Sequence, residues 1–186
     1  MRVGIEAGDI TYGDIISVVP YGNELCVVEV TGQQILDALE WSCRDIPGES
    51  GGFLQVSGLT LEIDAGIESG CIADENGMMT GIEGPRRVKN VKVNGEDIDP
   101  AKKYTVAGLD YILLDNGNGF TAFEGCTVLE ERVMLDNQVL INYIVETLGG
   151  RVGAEYEEPT GQGRIVIIDG EADQRFRNPG SLSCTL

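Results

Sequence analysis

The sequence predicts an α+β domain with mixed β-sheets and packed helices. The chain has 186 residues, of which 42% are hydrophobic, and this is enough to bury a core in one domain. Its 26 glycines and 6% aromatic content favour many turns and short strands over a helical bundle. Strand and helix patterns follow one another without a strict β-α-β repeat, which is typical of α+β domains. We expect one domain over residues 1–168 and a peripheral extension without periodicity over residues 169–186.

Two capping boxes mark where helices begin in the first quarter of the chain. In a capping box the N-cap hydroxyl and the side chain three residues later each accept a hydrogen bond from the other residue's backbone N–H. The motifs TYGD at residues 11–14 and TGQQ at residues 31–34 have this form. The predicted elements of this region are the helix Tyr12–Val18, the strand Glu24–Val30 and a helix at roughly residues 33–44.

The rest of the chain alternates predicted strands with turns. Asn94-Gly95 lies between two apolar runs and is a strong hairpin signal. The glycine-rich stretch 65–84 is predicted to be a long surface loop. Asp136 is predicted to cap a helix that Gly149-Gly150 ends. The predicted elements are the strand Phe53–Ile63, the hairpin Val88–Val93 with Glu96–Ile98, the strand Lys103–Leu109, the helix Gln138–Leu148 and the strand Arg164–Ile168.

Charge and missing residue types exclude several functions. The net charge of −18 argues against a nucleic-acid backbone or an anionic membrane as partner. The chain has no histidine, which most zinc hydrolases and catalytic triads require, and no calcium-loop motif. Arg44 and the Arg86-Arg87 pair are interpreted as solvated charges. The paired acids Asp97/Asp99 and Glu130/Glu131 are better explained as solvated turn residues than as an acid/base pair, so an enzyme complete in itself is the least favoured hypothesis.

The cysteines and the hydropathy pattern add little functional signal. Five cysteines without C-x-x-C spacing predict neither a zinc ribbon nor a disulfide framework. Cys26 and Cys43 are interpreted as small buried hydrophobic residues. The chain shows no signal peptide, no apolar run of membrane-spanning length and no lipidation motif, so no membrane insertion is expected.

Two loops combine an aromatic ring with an amide. Tyr21 and Asn23 lie on the tight turn PYGN, and Tyr111 and Asn118 belong to the segment DYILLDNGNGF. The N-G-N-G run of the second loop tolerates left-handed backbone and can bring N–H groups close to a ligand. Taken singly, each loop is more often structural, with the tyrosine covering the core. Together they suggest a planar ring held between Tyr21 and Tyr111, with amides contacting its edge.

The order of the motifs resembles the C-terminal domain of the 5'-nucleotidase family. The motifs are PYGN, TGQQILDALE (31–40), GGFLQVSG (51–58) and DY followed by NGNGF, and the resemblance spans residues 1–168. That family includes UDP-sugar hydrolases and 2',3'-cyclic-nucleotide phosphodiesterases. In it the C-terminal domain binds the nucleoside, while an N-terminal calcineurin-like metallophosphoesterase domain holds two divalent metals and receives the substrate by a rotation between the domains.

The resemblance implies roles for six residues of this chain. Tyr21 and Tyr111 take the places of the two base-stacking phenylalanines, and Asn23 keeps the asparagine of the first motif. Asn118 replaces the aspartate that contacts the ribose hydroxyls, which keeps an acceptor but loses the charge that strengthens such bonds. The two remaining implied positions are the substrate-contacting Arg2 and the pocket-lining Gly51.

The resemblance also implies what lies outside this sequence. Met1-Arg2 falls inside the family's N-G-G-G-x-R segment, so we expect the metal domain to be missing, with no cofactor and no catalytic residue in this chain. Family members are commonly extracellular, periplasmic or attached to the cell envelope. Two hypotheses remain: a nucleoside- or nucleotide-binding domain of a hydrolase in nucleotide catabolism, or a non-catalytic interaction module that has lost the pocket. Phosphate-bearing ligands would be repelled unless Arg2 concentrates positive potential locally.

Overall fold

Nine β-strands form two sheets and a separate hairpin in the computed structural model, which describes residues 3–156 and 162–168. Arg2 and the predicted extension at residues 169–186 lie outside the described residues. The strands are β1 Glu24–Thr31, β2 Leu59–Asp64, β3 Cys71–Ala73, β4 Met79–Ile82, β5 Val88–Val93, β6 Glu96–Asp97, β7 Lys103–Leu109, β8 Thr127–Leu135 and β9 Ile165–Ile168. The α-helices are α1 Tyr12–Val18, α2 Gly32–Ser42, α3 Asp110–Leu113 and α4 Asp136–Asn142.

The strands and helices form an α+β fold, as the sequence predicts, and the second of the two sheets is mixed. The first sheet has the order β7-β1-β8, with both neighbours antiparallel to β1. The second sheet has the order β6-β5-β2-β9, in which β9 runs parallel to β2. Strands β3 and β4 form a hairpin of their own. Helix α2 packs against β1 and β5, so it lies between the two sheets.

The two capping boxes are confirmed. Thr11 and Asp14 exchange the expected pair of hydrogen bonds at the start of α1, and Thr31 and Gln34 do the same at α2. The hydrogen bonds from Thr11 lower the pKa of the Asp14 carboxyl. The hairpin turn at Asn94-Gly95 is also confirmed, with φ values of 51° and 86°.

The strands differ from the sequence prediction at three places. Only Leu59–Asp64 of the predicted strand 53–63 is a strand, because Gly58 adopts a left-handed φ of 77° that interrupts extended pairing. The predicted loop 65–84 contains the hairpin β3–β4, whose turn at Asn76-Gly77 is a hairpin signal that the glycine content obscured. Strand β8 was not predicted, because its apolar residues flank a charged run and none of them is buried.

The last helix also differs from its prediction. Leu135 is the N-cap of α4, and Asp136 is its first residue, whose carboxylate accepts a hydrogen bond from the N–H of Asn137 at 2.7 Å. Beyond Asn142 the helix continues as one π-helical turn, Tyr143–Thr147. It ends before Gly149 and Gly150, both with positive φ, as predicted.

A buried glutamate on α2 joins the helix to the start of β5 in the second sheet. The carboxylate of Glu40, fully buried, accepts hydrogen bonds from the N–H groups of Arg87 at 2.7 Å and Val88 at 3.0 Å. Both carboxylate oxygens are therefore satisfied by backbone donors, which offsets the cost of burying the charge.

Arg87 is not a solvated charge, contrary to the prediction from sequence. Its side chain is buried and donates to the carbonyl oxygens of Cys43 at 3.0 Å, Ile46 at 2.9 Å and Ile67. The Cys43 and Ile46 carbonyls lie at the end of α2 and just beyond it, and the Ile67 carbonyl lies in the turn after β2. One guanidinium therefore satisfies acceptors that the helix end and this turn leave open. Arg44 and Arg86 are partly exposed and paired with Asp45 and Asp37.

We expect Arg87→Met to lower the free energy of unfolding by about 3 kcal/mol, because it leaves several buried carbonyls without donors. Urea unfolding monitored by circular dichroism measures the change. Lys92→Met is the matched control, since the Lys92–Asp97 ion pair is exposed and its loss should cost less than about 1 kcal/mol. Equal losses in the two variants would contradict a structural role for the arginine.

Candidate functional site

The first sheet brings the two tyrosine loops to the same end. Strand β1 begins just after the PYGN turn, and its antiparallel neighbour β7 ends just before Tyr111. Leu25 on β1 pairs with Leu109 on β7, so the two loops leave the sheet beside each other. The two loops are distant in the sequence, and the pairing of β1 with β7 brings them close together in space.

The carboxylate of Asp110 holds the two loops together. Its Oδ1 atom accepts a hydrogen bond from the N–H of Glu24 at 3.0 Å and one from the N–H of Tyr111 at 2.8 Å. Glu24 is the first residue of β1, so a single oxygen fixes the end of the first loop against the start of the second. Hydrogen bonds to a carboxylate are stronger than those between neutral groups, which suits a positioning role.

Gly117 makes room for the Tyr111 ring. A Cβ atom at position 117 would overlap the ring carbons and the carbonyl oxygen of Tyr111. The ring therefore packs directly on the backbone of the N-G-N-G loop, with Gly117 itself buried. Tyr111 remains 42% exposed, so part of its side chain is accessible to solvent.

The Asn118 backbone is fixed by the buried Trp41. The indole N–H of Trp41 donates to the Asn118 carbonyl oxygen at 2.9 Å. Asn116 and Asn118 both adopt left-handed backbone, with φ values of 55° and 54°, as the N-G-N-G motif predicts. The Asn118 side chain is exposed, and the Tyr111 hydroxyl approaches its Oδ1 atom at 3.5 Å, a weak contact.

The segment containing Gly51 lies against Asn118. A Cβ atom on the neighbouring Gly52 would lie 3.3 Å from the Asn118 Cβ, so a larger residue would crowd the amide. Gly51 itself is exposed, and a Cβ there would meet nothing within 4 Å. The N–H of Leu54 donates to the Ser42 hydroxyl on α2 at 2.6 Å, which anchors this segment.

The structure thus brings five of the six sequence-predicted positions to one region. Tyr111, Asn118 and the Gly51-Gly52 segment adjoin one another directly, whereas Tyr21 and Asn23 join them through the pairing of β1 with β7. Tyr21 is 60% exposed. The carbonyl of Asn23 accepts a hydrogen bond from the N–H of Asp136 at 2.9 Å. Arg2, the sixth position, lies outside the described residues.

An apolar cavity of about 850 Å³ extends from Gly51 and Gly52 between the first sheet and the segment that follows them. Its lining includes Phe53, Leu109 and Ile112. None of the four predicted tyrosine and asparagine side chains lines it. The cavity therefore adjoins the candidate site at Gly51 and Gly52, and the predicted tyrosines and asparagines do not form its walls.

No group of three or more histidine, cysteine or acidic residues in residues 3–156 and 162–168 could hold a metal ion. In the same part of the chain no helix is long and apolar enough to cross a membrane. The described residues of the site offer aromatic rings for stacking, and side-chain amides and backbone groups for hydrogen bonding.

Sequence reasoning missed three residues that position the site. Asp110, Trp41 and Gly117 act through backbone contacts that depend on which elements meet in space. Gly117 belongs to the N-G-N-G motif and could have been assigned a steric role. Nothing local to Trp41 signals that its indole reaches a loop in the second half of the chain.

Comparison with known proteins identifies relatives that share much of this chain. The trifunctional nucleotide phosphoesterase protein YfkN of Bacillus subtilis (strain 168) is 29% identical over 157 residues, covering 84% of this chain and 10% of that protein. Protein UshA of Escherichia coli (strain K12) is 26% identical over 144 residues, covering 77% of this chain and 22% of that protein. The chain spans less than a quarter of the length of these relatives.

Solved structures share the fold. The 5'-nucleotidase precursor from Thermus thermophilus has a TM-score of 0.72 and 29% identity, over 92% of this chain and 30% of that chain. The Haemophilus influenzae NAD nucleotidase has a TM-score of 0.62 over 87% of this chain and 27% of that chain; at 18% identity it shows the fold alone.

The sequence model of one family, described as "5'-nucleotidase, C-terminal domain", matches residues 1–125. This match covers well over half of the chain and includes the α2 helix, the Gly51 segment and the N-G-N-G loop. The chain therefore belongs to the 5'-nucleotidase family, of which it represents the C-terminal domain.

Proposed function

We propose that this domain binds nucleosides or nucleotides by holding the base between Tyr21 and Tyr111. The observation that carries the proposal is the pairing of Leu25 with Leu109, which sends both tyrosine loops out of the same end of the first sheet. In this proposal the domain is the substrate-binding part of a nucleotidase-like hydrolase that acts in nucleotide catabolism.

The exposure of the two rings supports the proposal. Tyr21 is 60% exposed on the turn before β1, and Tyr111 is 42% exposed on the short helix α3, which follows β7. An exposed aromatic face on a rigid support gains free energy by stacking on a planar base, about 1–3 kcal/mol per base. Gly117 holds the Tyr111 ring in place before any ligand binds, which reduces the entropic cost of stacking.

The amides supply polar recognition beside the rings. The Asn118 side chain is exposed next to Tyr111, with its backbone fixed by Trp41. The side-chain oxygen of Asn118 can accept a hydrogen bond from a sugar hydroxyl. A neutral amide oxygen binds a hydroxyl more weakly than a carboxylate does. We infer that base stacking contributes more to affinity here than sugar recognition.

Electrostatics favour neutral ligands unless a local cation intervenes. The chain carries a net charge of −18, which repels phosphate at long range. Arg2 is the substrate-contacting cation that the family pattern proposes. If Arg2 does not contact the phosphate, nucleosides should bind more tightly than nucleotides at low salt. Added salt should reduce this difference in affinity, because it screens the repulsion between the chain and the phosphate.

In this proposal catalysis takes place on metals held by another domain. We propose that a metallophosphoesterase domain with two divalent metals is the functional partner and that those metals would activate the attacking water. By the same family reasoning we propose an extracellular, periplasmic or cell-envelope location.

One alternative has a specific observation in its favour. Asn118 stands where a carboxylate would contact the ribose, and the overall charge opposes phosphate. Both features suit a non-catalytic interaction module that retains the fold without the ligand. Direct measurement of nucleoside binding separates the two functions.

Alanine at either tyrosine should weaken adenosine binding by about tenfold or more, because each substitution removes one stacking face. Isothermal titration calorimetry with adenosine, UMP and AMP measures the effect. Tyr21→Phe and Tyr111→Phe should bind within about threefold of the original chain, since the stacking face is kept.

Tyr143→Ala serves as the matched control, because Tyr143 is 44% exposed and lies on the π-helical turn, which belongs to neither loop. Its affinity should not change. An absence of heat with every ligand in the original chain would support the interaction module instead, and equal losses for all three alanine variants would contradict a specific clamp.

Gly117→Ala should weaken adenosine binding even though both tyrosines remain, because the new Cβ displaces the Tyr111 ring. Gly81→Ala is the matched control, since a Cβ on Gly81 meets nothing within 4 Å. Calorimetry should show a loss of affinity of about fivefold or more for the first variant and none for the second. Unchanged binding by a folded Gly117→Ala protein would show that adenosine binding does not require the Tyr111 ring to pack on the backbone of Gly117.

A further inference from the structure

Two cysteines that are far apart in the sequence approach the same backbone oxygen. The Sγ atoms of Cys43 and Cys71 lie 3.3 and 3.5 Å from the carbonyl oxygen of Glu40. The two sulfur atoms are therefore separated by no more than the sum of these distances. Cys43 is the C-cap of α2, and Cys71 is the first residue of β3, so the two thiols connect the helix to the β3–β4 hairpin.

The two thiols differ in access. Cys43 is fully buried, and its burial together with the nearby Glu40 carboxylate raises the pKa of the thiol to about 12. Cys71 is only partly buried. Burial also raises the pKa of Cys71, while the guanidinium groups of Arg44 and Arg86 act in the opposite direction. Cys71 is the thiol that a reagent from solvent reaches first.

Charges of both signs act on the Cys71 thiol. The Glu40 carboxylate raises its pKa, whereas the guanidinium groups of Arg44 and Arg86 lower it, in a chain whose net charge is −18. Each arginine is also paired with a carboxylate, Arg44 with Asp45 at 3.7 Å and Arg86 with Asp37. The carboxylates of oxidised glutathione can pair with these two arginines as the reagent reaches the thiol.

We propose that Cys43 and Cys71 are a thiol–disulfide exchange pair that closes to an intramolecular disulfide when the chain meets a glutathione-type disulfide. This site is independent of nucleoside binding. Cys71 is the entry thiol and Cys43 the resolving thiol.

The exchange balances in two steps. The Cys71 thiolate attacks one sulfur of glutathione disulfide, which forms a mixed disulfide and releases one glutathione thiolate. The Cys43 thiolate then attacks the Cys71 sulfur, which forms the Cys43–Cys71 bond and releases the second glutathione thiolate. The two cysteine protons end on the two glutathione molecules, and the two electrons lost by the protein reduce one glutathione disulfide.

Bond formation requires the sulfurs to approach to about 2.05 Å. The β3–β4 hairpin can make this approach without disturbing either sheet, because it pairs with neither of them. The hairpin also contacts the candidate site: Gly119 packs on the Gly77 carbonyl at the hairpin turn, and the Thr121 hydroxyl donates to the Met79 carbonyl at 2.6 Å. The cross-link would therefore fix the hairpin that supports the N-G-N-G loop.

The test is disulfide mapping of the folded chain after incubation with oxidised glutathione at mildly alkaline pH. All proteins carry Cys184→Ser, because Cys184 lies outside the described residues. Free thiols are alkylated, and digestion with trypsin and a glutamate-specific protease separates Cys43 from Cys26, since Glu29 and Glu40 lie between them. We expect a Cys43–Cys71 cross-link in most of the protein and a higher urea midpoint for the oxidised chain.

Variants that lack one cysteine of the pair distinguish the entry thiol from the resolving thiol. Cys43→Ser should accumulate glutathione on Cys71, and Cys71→Ser should form no cross-link and leave Cys43 unmodified. Cys126→Ser, which removes a partly buried thiol outside the pair, is the matched control and should cross-link as the parent does.

Three outcomes of mapping in the parent protein would overturn the proposal, whether or not the variants fold. These are a stable mixed disulfide at Cys71 without closure, cross-links that involve Cys26 or Cys126 instead, and no modification of Cys71 under conditions that oxidise the urea-unfolded chain.

Discussion

Three consecutive buried side chains at the C-terminal end of α2 hold the rest of the structure in place. Glu40 accepts from the backbone of Arg87 and Val88, Trp41 donates to the carbonyl of Asn118, and Ser42 accepts from the N–H of Leu54. Successive residues of a helix point in different directions, so three neighbours in sequence reach three separate segments. The second sheet, the N-G-N-G loop and the Gly51 segment are all registered against one helical turn.

This arrangement explains how a loop site can be well defined. The tyrosines and Asn118 of the candidate site are exposed, but the backbone beneath them is fixed by partly buried hydrogen bonds. Trp41 donates one of these bonds, and Ser42 and Asp110 accept the others. Buried polar groups that are fully satisfied favour one arrangement of the chain over others, since each alternative would leave a donor or acceptor unpaired. Rigid support beneath an exposed surface is what ligand recognition by stacking requires.

Local sequence chemistry predicted the elements that depend on neighbouring residues. Capping boxes, the Asn94-Gly95 hairpin and the left-handed N-G-N-G loop are short-range features, and the structure has each of them. Two charged residues show where local reasoning fails. Glu40 belongs to an amphipathic helix and Arg87 to a basic pair, and only the packing of α2 against β5 reveals that both are buried.

The candidate site shows the same difference between short-range features and contacts that join distant segments. Its aromatic and amide residues lie on two short motifs, which sequence reasoning could single out. The contacts of Asp110 with Glu24 and of Trp41 with Asn118 were missed because they join distant parts of the chain. The steric role of Gly117 was missed although its contact with Tyr111 is short-range. Strand β8 escaped prediction for a related reason: an edge strand without buried residues lacks the hydrophobic alternation that marks a strand.

The most direct test uses Trp41, the chain's single tryptophan, whose indole N–H gives one resolved signal in a ¹H–¹⁵N NMR spectrum. Titration with adenosine should shift this signal together with the backbone amide signals of Asn23, Tyr111 and Asn118. The indole signal should shift because Trp41 contacts the loop that we propose to bind the base. The amides of β9, which belong to the other sheet, should not move. Shifts confined to residues away from the two tyrosine loops, or none at saturating adenosine, would contradict the account.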